Sequence, residues 1–305
     1  MTRRRDIQRH LVSLGEIRDI MGAMRNLALL ETRKLARAAQ TQGRVVQTVR
    51  RALQSVAAQC TGPAPGSEKA GDLVIAVGSE RGFCGDFNRA LLDALSSGEF
   101  PPDAPLIVIG QRLSARLPAE RQPAAVLAGP TTVEEVPQLI VSLVHAIGEV
   151  GRADAGNLPL RPWVLHHSGQ EGVKSTCLDP GGLPAADAGA VSWPMRINLP
   201  VDELFLRLAE HFLYAALYEA FYGSLMAENE RRIRHMESAL KRLDEQSGNL
   251  RRRRNELRQE EITEEIEEIT MTTRLAERDV RFTRAGRGSG TRSGTSAAIP
   301  ERQGR

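Results

Sequence analysis

Two long runs without proline, one at each end of the chain, constrain the fold more than any other feature. The first run extends from Asp6 to Ala58 and the second from Asp202 to Arg281. At the rise of an α-helix they predict helices about 75 Å and about 120 Å long. Helices in globular proteins usually have only a few turns, so helices of this length need a partner along their sides. We therefore expect the two ends of the chain to pair.

Apolar residues in both runs recur with the alternating three- and four-residue spacing of a coiled-coil seam. In the first run they are Ile7, Leu11, Leu14, Ile17, Met21, Met24 and Ala28, and further along Leu35, Ala38, Val45, Val49, Leu53 and Val56. In the second run they are Ile233, Met236, Leu240, Leu243, Leu250 and Leu257, followed by a shifted set at Ile262, Ile266 and Ile269. Such a shift is typical of a stutter, which changes the supercoil locally.

The segment between the two runs alternates short apolar runs with helical stretches. In chain order these are Leu73–Val77, Ala90–Leu95, Leu106–Ile109, Arg112–Leu117, Val133–Val150 and Trp163–His166. Short buried strands separated by helices predict a small α/β layer with a mainly parallel sheet. The stretch Ser168–Pro200 is rich in Gly, Pro and Ala, and it is predicted to be a loop.

Composition argues against several classes of protein. The net charge is only +3, so the chain as a whole does not resemble a nucleic-acid-binding protein. The three cysteines, Cys60, Cys84 and Cys177, show no paired spacing, so neither a disulfide framework nor a zinc site is predicted, and a reducing compartment is the default. No stretch approaches the about 18 apolar residues of a membrane span. We expect a protein that is neither secreted nor membrane-spanning.

The middle segment contains no complete nucleotide-binding motif. Gly78, Gly82 and Gly85 follow a predicted strand, but their spacing is neither that of the dinucleotide fingerprint nor that of a P-loop. No cofactor is therefore predicted to bind to this segment. The chain as a whole is expected to bind no metal and no small-molecule substrate.

Composition also divides the chain into four segments. They are a helix over residues 1–60, an α/β domain over 71–200, a second helix over 201–282 and a tail over 283–305. The stretch Thr61–Gly71 is a linker rich in Pro and Gly. The tail is cationic, of low complexity and without periodicity, so it is predicted to be disordered.

Two segments in the first third of the chain have distinctive patterns. Ile20–Met24 contains an Ala-Met pair and is followed by a basic Ala-rich turn, Arg33–Ala38. Ser79–Asn88 reads Ser-Glu-Arg-Gly-Phe-Cys-Gly-Asp-Phe-Asn. The first segment resembles the opening helix, and the second the acidic-Arg-Gly-Leu-Cys-Gly-Gly-Leu-Asn turn, of the γ subunit, the central rotor stalk, of F-type ATP synthases.

A third resemblance lies near the other end of the chain and is the most specific. Glu228–Ile233 with Met236, and then Asn255–Glu265, resemble the family's Asn-x-x-Arg-Gln-x-x-Ile-Thr-x-Glu pattern. With this segment the resemblance covers nearly the whole chain, to about Ala276.

The resemblance implies an α+α/β fold, in which a long antiparallel coiled coil of the N- and C-terminal helices is joined to a Rossmann-like α/β middle domain. It also implies a rotor that turns within a hexamer of α and β subunits and contacts the ε subunit and the membrane c-ring. ATP is made or hydrolysed on the β subunits, so this chain is expected to have no active site. It is expected to be a peripheral membrane protein on the cytoplasmic side of the cell inner membrane.

The resemblance also implies roles for particular residues. Met24 matches the family's rotor methionine near the β-subunit lever, and Arg258 with Gln259 matches its polar catch on a β subunit. The residues that match the turn of the middle domain are Arg81, Gly82, Cys84, Gly85 and Asn88.

Several positions depart from the family pattern. Gly22 stands where a Lys is common, and Glu260 and Glu261 make the catch region more acidic. Asp86 replaces the second Gly of the turn, which raises the question of whether the backbone has a positive φ there. The chain also continues well past the point where the family usually ends. Such divergence favours the γ subunit of an alternate, sodium-translocating F-type set.

Two other classes of protein remain open at this stage. One is an enzyme in which Cys84 is the nucleophile and His145, His166 or His167 is the base. The other is a non-rotary coiled-coil adaptor, or a nucleic-acid clamp that uses Arg251–Arg254 and the cationic tail. Seam periodicity does not discriminate between a rotor and an adaptor, because any antiparallel helical hairpin has the same pattern.

Overall fold

The computed structural model describes residues 2–57, 71–153, 160–169, 172–180 and 197–286. In chain order the elements are α1 (Thr2–Ala57), β1 (Gly71–Val77), α2 (Phe87–Leu95), β2 (Leu106–Ile109), α3 (Gln111–Ser114), β3 (Ala125–Leu127), a 3-10 turn (Val133–Glu135), α4 (Val136–Ala153), β4 (Leu160–Ser168), β5 (Gly172–Cys177) and α5 (Val201–Gly286).

The two long helices predicted from the proline-free runs are confirmed. α1 begins at Thr2, and α5 continues to Gly286, so each extends slightly beyond the predicted limits. α5 begins where the Pro200 carbonyl accepts the first helical hydrogen bond, and two acidic residues in its first turn complement the helix dipole. Among the described residues, no helix combines the length and the apolarity needed to cross a membrane.

The described residues form two compact bodies. One, the helical body, contains residues 2–16 and 244–286; the other, the sheet body, consists of the described residues between 17 and 243. Each long helix contributes to both bodies. The four segments inferred from composition divide the chain differently, and that division stays a prediction.

A five-stranded sheet lies in the sheet body, in the order β3-β2-β1-β4-β5. β1 pairs in parallel with β2 and with β4, and β2 pairs in parallel with β3. β5 is antiparallel to β4. The prediction of a mainly parallel sheet between two long helices is therefore confirmed.

The sequence patterns do not predict the two edge strands. β3 has only three residues, which is too short to show a period, and β5 lies in the stretch predicted to be a loop. That prediction is wrong for Gly172–Cys177. Its residues are only partly buried, and backbone pairing with β4 rather than an apolar pattern makes it a strand.

Both faces of β1 are buried, which explains its continuous apolar sequence. Leu73, Ile75 and Val77 belong to a core cluster that also contains residues of α1, α4 and α5. Val74 and Ala76 belong to a second cluster, in which α2 supplies several of the large side chains. Helices therefore cover both faces of the sheet, as in a Rossmann-like domain.

α1 and α5 run antiparallel within the sheet body. The Gln42 amide donates to the Ala215 carbonyl oxygen at 3.1 Å, and the Arg50 guanidinium lies 5.7 Å from the centre of the Phe212 ring. Position along α1 thus increases as position along α5 decreases. This arrangement agrees with the antiparallel pairing expected for the two end helices.

Burial along α1 corrects the predicted seam at two positions. Ile17 is 46% exposed, whereas Met21, Ala28 and Leu35 follow a seven-residue repeat and are buried. Farther along, Val46 is buried and its neighbour Val45 is exposed. The buried face of α1 shifts because this part of the helix packs into the same core as α4, α5 and the sheet. The predicted seam assumes that α1 has only one neighbouring helix.

Some predicted features lie outside the described residues. They are Cys60, the linker except for Gly71, and residues 287–305 of the tail. The first tail residues, Thr283–Gly286, are part of α5.

Gly110 allows two strand ends to approach closely, and its replacement is expected to be costly. Its φ is 99°, and a Cβ at this position would lie 2.7 Å from the Ser79 carbonyl oxygen and 2.8 Å from that of Gly78. Gly110→Ala should lower the free energy of unfolding by about 3 kcal/mol, since strain and a backbone clash act together. Urea denaturation followed by circular dichroism measures the loss.

Gly98→Ala is the matched control. Gly98 also has a positive φ, of 83°, but a Cβ added there would have no neighbour within 4 Å. Its replacement should cost about 1 kcal/mol, from backbone strain alone. Equal losses at the two positions would contradict a role for close packing at Gly110.

Candidate functional site

The turn between β1 and α2, taken with the first two residues of α2 as residues 79–88, is held together by its own buried polar groups. Asn88 accepts a hydrogen bond from the Ser79 backbone N–H at 3.0 Å and donates to Ser79 Oγ at 2.8 Å. The Cys84 thiol donates to the same oxygen at 3.2 Å. Ser79, Cys84 and Asn88 are all buried. A satisfied buried network of this kind favours one conformation of the turn. We call this segment the β1–α2 turn.

Two residues of the β1–α2 turn have left-handed backbone angles. They are Gly85, with φ of 63°, and Phe83, with φ of 64°. Asp86, in contrast, has φ of −87°, so this position does not require a glycine. A left-handed aromatic residue is uncommon, and the Phe83 side chain is 53% exposed.

The β1–α2 turn is also tied to the ends of two neighbouring strands. Glu80 Oε2 accepts hydrogen bonds from the Gly129 N–H at 2.8 Å and the Gln111 N–H at 3.0 Å. Gly129 follows β3, and Gln111 follows β2. Arg81 donates to Thr131 Oγ1 at 3.3 Å. The turn is therefore fixed to the carboxyl ends of three parallel strands.

α5 crosses the same edge of the sheet. The hydroxyl of Ser224 donates to the carbonyl oxygen of Val77, the last residue of β1, at 3.5 Å. Arg232 Nε donates to the Gly82 carbonyl oxygen at 3.2 Å. In doubly wound folds, ligands bind in the crevice outside the carboxyl ends of the strands. Here α5 and the β1–α2 turn pack against each other at that place.

His166 and His167, near the end of β4, both make structural contacts. His167 Nε2 donates to the Phe87 carbonyl oxygen at 2.9 Å. Burial is the main cause that lowers the pKa of His167 to about 4. His166 Nε2 lies 3.3 Å from Thr176 Oγ1. These histidines are therefore expected to be neutral at pH 7.

The geometry around Cys84 does not form the pair that the enzyme hypothesis requires. In the described part of the chain, the thiol contacts Ser79 Oγ and the Arg81 carbonyl oxygen, and not an imidazole nitrogen. His145, the third candidate base, lines a groove beside β3 and α4. A nucleophilic cysteine needs a base within hydrogen-bond reach. The arrangement instead fits a cysteine that stabilises a turn.

In the helical body, α1 and α5 meet through polar side chains. Arg4 pairs with Glu261 at 2.8 Å, and Arg254 donates to Gln8 at 3.2 Å. A cleft of about 560 Å³ lies between them. Its lining residues are Arg4, Arg5, Gln8, Arg254, Asn255, Arg258, Glu261 and Glu265. Arg258 therefore lies beside charges of both signs.

The predicted continuation of the apolar seam in α5 is wrong. Ile262, Ile266 and Ile269 are all exposed, by 45 to 65%. The physical reason is the register of the two helices. Arg4 lies opposite Glu261, so the described residues of α1 pack beside the part of α5 before the isoleucines and not beside the isoleucines themselves.

Comparison with protein families decides the assignment. The family model described as ATP synthase matches residues 3–273, which include the whole sheet and most of both long helices. The chain belongs to the γ-subunit family of ATP synthases. The resemblance found in the sequence is thereby confirmed. Members of this family form the central rotor stalk, a non-catalytic subunit of a membrane-associated complex.

Solved structures of ATP synthases share the fold of this γ-family chain. A chain of the Euglena gracilis mitochondrial ATP synthase rotor in rotational state 1 has 15% sequence identity and a TM-score of 0.57, with 86% of this chain and 99% of that chain covered. A chain of the OSCP/F1/c-ring assembly of the same enzyme in rotational state 3 has 16% identity and a TM-score of 0.57, with coverage of 97% and 99%. A search of curated protein sequences gave no significant match.

The predicted γ-subunit residues lie in different parts of the structure. Those of the turn, Arg81, Gly82, Cys84, Gly85 and Asn88, lie in one segment at the sheet edge. Met24 is half-buried on α1 in the sheet body. Arg258 and Gln259 are exposed on α5 in the helical body. Their contacts with a β subunit stay predictions.

Sequence reasoning misses the buried polar partners of the γ-family turn. Glu228 and Arg232 form an ion pair with side chains 6% and 8% exposed, and Glu80 accepts two backbone hydrogen bonds. A signal for the ion pair exists in the sequence. Glu228 and Arg232 are four residues apart, which places them on one face of α5. Their burial depends on the β1–α2 turn, which is distant in sequence.

The buried imidazole of His167 predicts a pH dependence of stability. The unfolded state binds more protons than the folded state between pH 6.5 and about 4, because the pKa of His167 is lowered in the fold. Its contribution is fully present above pH 6.5 and is lost as the pH falls, by about 3 kcal/mol in total. In His167→Gln, the difference in free energy of unfolding between pH 7 and pH 4 should shrink by this amount. Urea denaturation at several pH values measures it.

The matched control is His10→Gln, because His10 is exposed on α1. This variant removes one imidazole without changing the sheet body. If His167→Gln kept the wild-type dependence on pH, His167 would not be the group responsible.

Proposed function

We propose that this chain is the rotating γ subunit of an F-type ATPase, enclosed by a hexamer of alternating α and β subunits and joined through the ε subunit and the c-ring to ion flow across the membrane. The family match over residues 3–273 supports this role. The related Euglena gracilis chain comes from an assembly described as OSCP/F1/c-ring, which supports the same set of partners.

The observation that carries the proposal is the exposed apolar stripe on each long helix. On α1, Ile20, Leu27 and Leu30 are each more than half exposed, and their spacing places them on one face. On α5 the corresponding stripe consists of Ile262, Ile266 and Ile269. Contiguous apolar surface on a soluble helix is typical of a surface that another protein covers. Enclosure by a hexamer would cover both stripes.

Two exposed polar residues of α5 supply the hydrogen bonds that we assign to contact with a β subunit. Arg258 and Gln259 are exposed and lie about one helical turn before Ile262. A guanidinium and an amide can donate directional hydrogen bonds to carboxylates. In an exposed setting such bonds are weak enough to break at each rotational step. Met24, half-buried on α1, is assigned to the β-subunit lever.

The chain is proposed to carry no active site, with ATP formed or hydrolysed on the β subunits. We place it at the cytoplasmic side of the inner membrane as a peripheral subunit. The ion that the complex moves depends on other subunits, so the sodium assignment stays a prediction. A non-rotary adaptor is not favoured, because the family match extends along both long helices and the sheet.

Co-expression of this chain with the α and β subunits encoded beside it tests the proposal. The wild-type chain should be retained as a single copy per hexamer, and ATP turnover should depend on it. In Arg258→Ala/Gln259→Ala, turnover should fall about tenfold, the equivalent of about one charge-assisted hydrogen bond lost from the rotational step. Purification followed by an ATPase assay measures both effects.

Arg252→Ala/Arg253→Ala is the matched control, because both residues are exposed on the same helix and are not part of the assigned catch. Its turnover should stay near wild type. Failure of the wild-type chain to associate, or turnover that is indifferent to its presence, would contradict the rotor proposal and favour the adaptor.

A further inference from the structure

Arg232 is a buried cation on α5 whose guanidinium has three hydrogen-bond partners. Nη2 pairs with the Glu228 carboxylate, Nη1 donates to Asn229 Oδ1 at 2.6 Å, and Nε donates to the Gly82 carbonyl oxygen at 3.2 Å. A guanidinium is planar and its N–H groups have fixed directions. Three partners therefore define both the position and the orientation of this group.

Two of the three partners belong to α5 itself. Glu228 and Asn229 lie within one turn of Arg232 and hold its side chain against the helix. The guanidinium is thus a rigid extension of α5. Gly82, the third partner, belongs to the β1–α2 turn. The hydrogen bond from Arg232 Nε–H to the Gly82 carbonyl oxygen is therefore a directional link between α5 and the turn at the end of β1.

The β1–α2 turn can pass a load on to the sheet. Glu80, two residues before Gly82, accepts hydrogen bonds from the N–H groups of Gln111 and Gly129, which follow β2 and β3. Ser79 and Asn88 close the two ends of the turn on each other. A force on the Gly82 carbonyl is therefore shared among three strand ends rather than absorbed by a loose loop.

In the two turns of α5 before this link, residues 220–227, the side chains are mostly small or apolar, and the directional contact is the Ser224 hydroxyl, which donates to the Val77 carbonyl oxygen at 3.5 Å. Ala220 and Ala227 are buried on either side of Ser224, and Gly223 lies over the end of β4, with the His167 carbonyl oxygen 3.8 Å from an added Cβ. Apolar contact is non-directional. It holds α5 against the sheet but opposes rotation of the helix about its axis less specifically than a hydrogen bond, which weakens steeply when it is misaligned.

The ion pair is an expensive way to obtain stability. Burial is the main cause that raises the pKa of Glu228, to about 7, although Arg232 opposes the rise. Buried ion pairs can often be replaced by apolar side chains of similar size without loss of stability. The directional bonds of this pair, where α5 meets the β1–α2 turn, are better suited to fixing geometry than to adding stability.

We propose that Arg232 is the positioning residue that sets the rotational position of α5 on the sheet, through its bond to the Gly82 carbonyl, so that torque passes between α5 and the sheet at this contact. The inference rests on the proposed rotor function. A second, more exposed link supports it: Arg231 donates to Asp86 Oδ1 at 3.3 Å and lies 5.5 Å from the centre of the Phe87 ring.

The test uses the complete ATPase in liposomes and follows two quantities, the rate of ATP hydrolysis and the ATP-driven build-up of membrane potential. We call the rate of rise of the membrane potential divided by the rate of ATP hydrolysis the coupling ratio. It can be measured without knowing which ion the complex moves. In Glu228→Leu/Arg232→Met, assembly and hydrolysis should stay within about twofold of wild type, because apolar side chains replace the pair. The coupling ratio should fall about fivefold, because the directional bond is gone.

Arg232→Lys keeps the charge but lacks the planar fork. It should assemble like wild type and lower the coupling ratio about twofold, because one ammonium group cannot reproduce the three fixed bond directions. Arg234→Ala, an exposed residue on the same helix, is the matched control and should leave the ratio unchanged.

An assembled Glu228→Leu/Arg232→Met complex with wild-type coupling would overturn the inference. If that variant does not assemble, Arg232→Lys decides, and wild-type coupling in Arg232→Lys overturns it equally. Failure of the wild-type chain to join the hexamer is a different result, since it overturns the proposed rotor function and, with it, this inference.

Discussion

The packing of α5 against one face of the sheet is the interaction on which the rest of the structure depends. Phe212, Leu217 and Phe221 of α5 are buried in the same cluster as Ile75 and Ile107 of the sheet. Most of the rest of α5 is polar and would not form a stable helix in isolation. Burial of this one segment anchors a helix that then continues to Gly286. It also places the helix across the strand ends, where the β1–α2 turn contacts it.

The sequence predicts those parts of the fold in which one periodic pattern is sustained. The long helices, the buried strands β1, β2 and β4 and the parallel pairing all follow from apolar periodicity and from the absence of proline. β3 and β5 escape prediction because backbone pairing, and not a side-chain pattern, makes them strands. The exposure of Ile262 has a similar cause, since periodicity in one helix contains no information about where its partner begins.

The sequence likewise predicts one part of the candidate site and not the other. The residues of the β1–α2 turn are adjacent in sequence, so a motif reveals them together. Arg232 bonds to Gly82 across a large separation in sequence, and no local pattern links them. Burial of Glu228 likewise depends on tertiary packing. The turn also illustrates how one sheet edge can serve different purposes. The edge that holds a ligand in many α/β proteins is here used for contact between a helix and a turn.

The antiparallel pairing of the first and last helices has a consequence for biosynthesis. α1 leaves the ribosome well before α5 has been made, so its buried positions Leu35, Val46 and Leu53 lack their partners during most of translation. Contacts between residues so distant in sequence also form slowly, because a long loop must close first. A nascent chain with an uncovered apolar helix face is a substrate for aggregation and for chaperones. The pairing of α1 with α5 thus makes folding of the subunit depend on synthesis of the last helix.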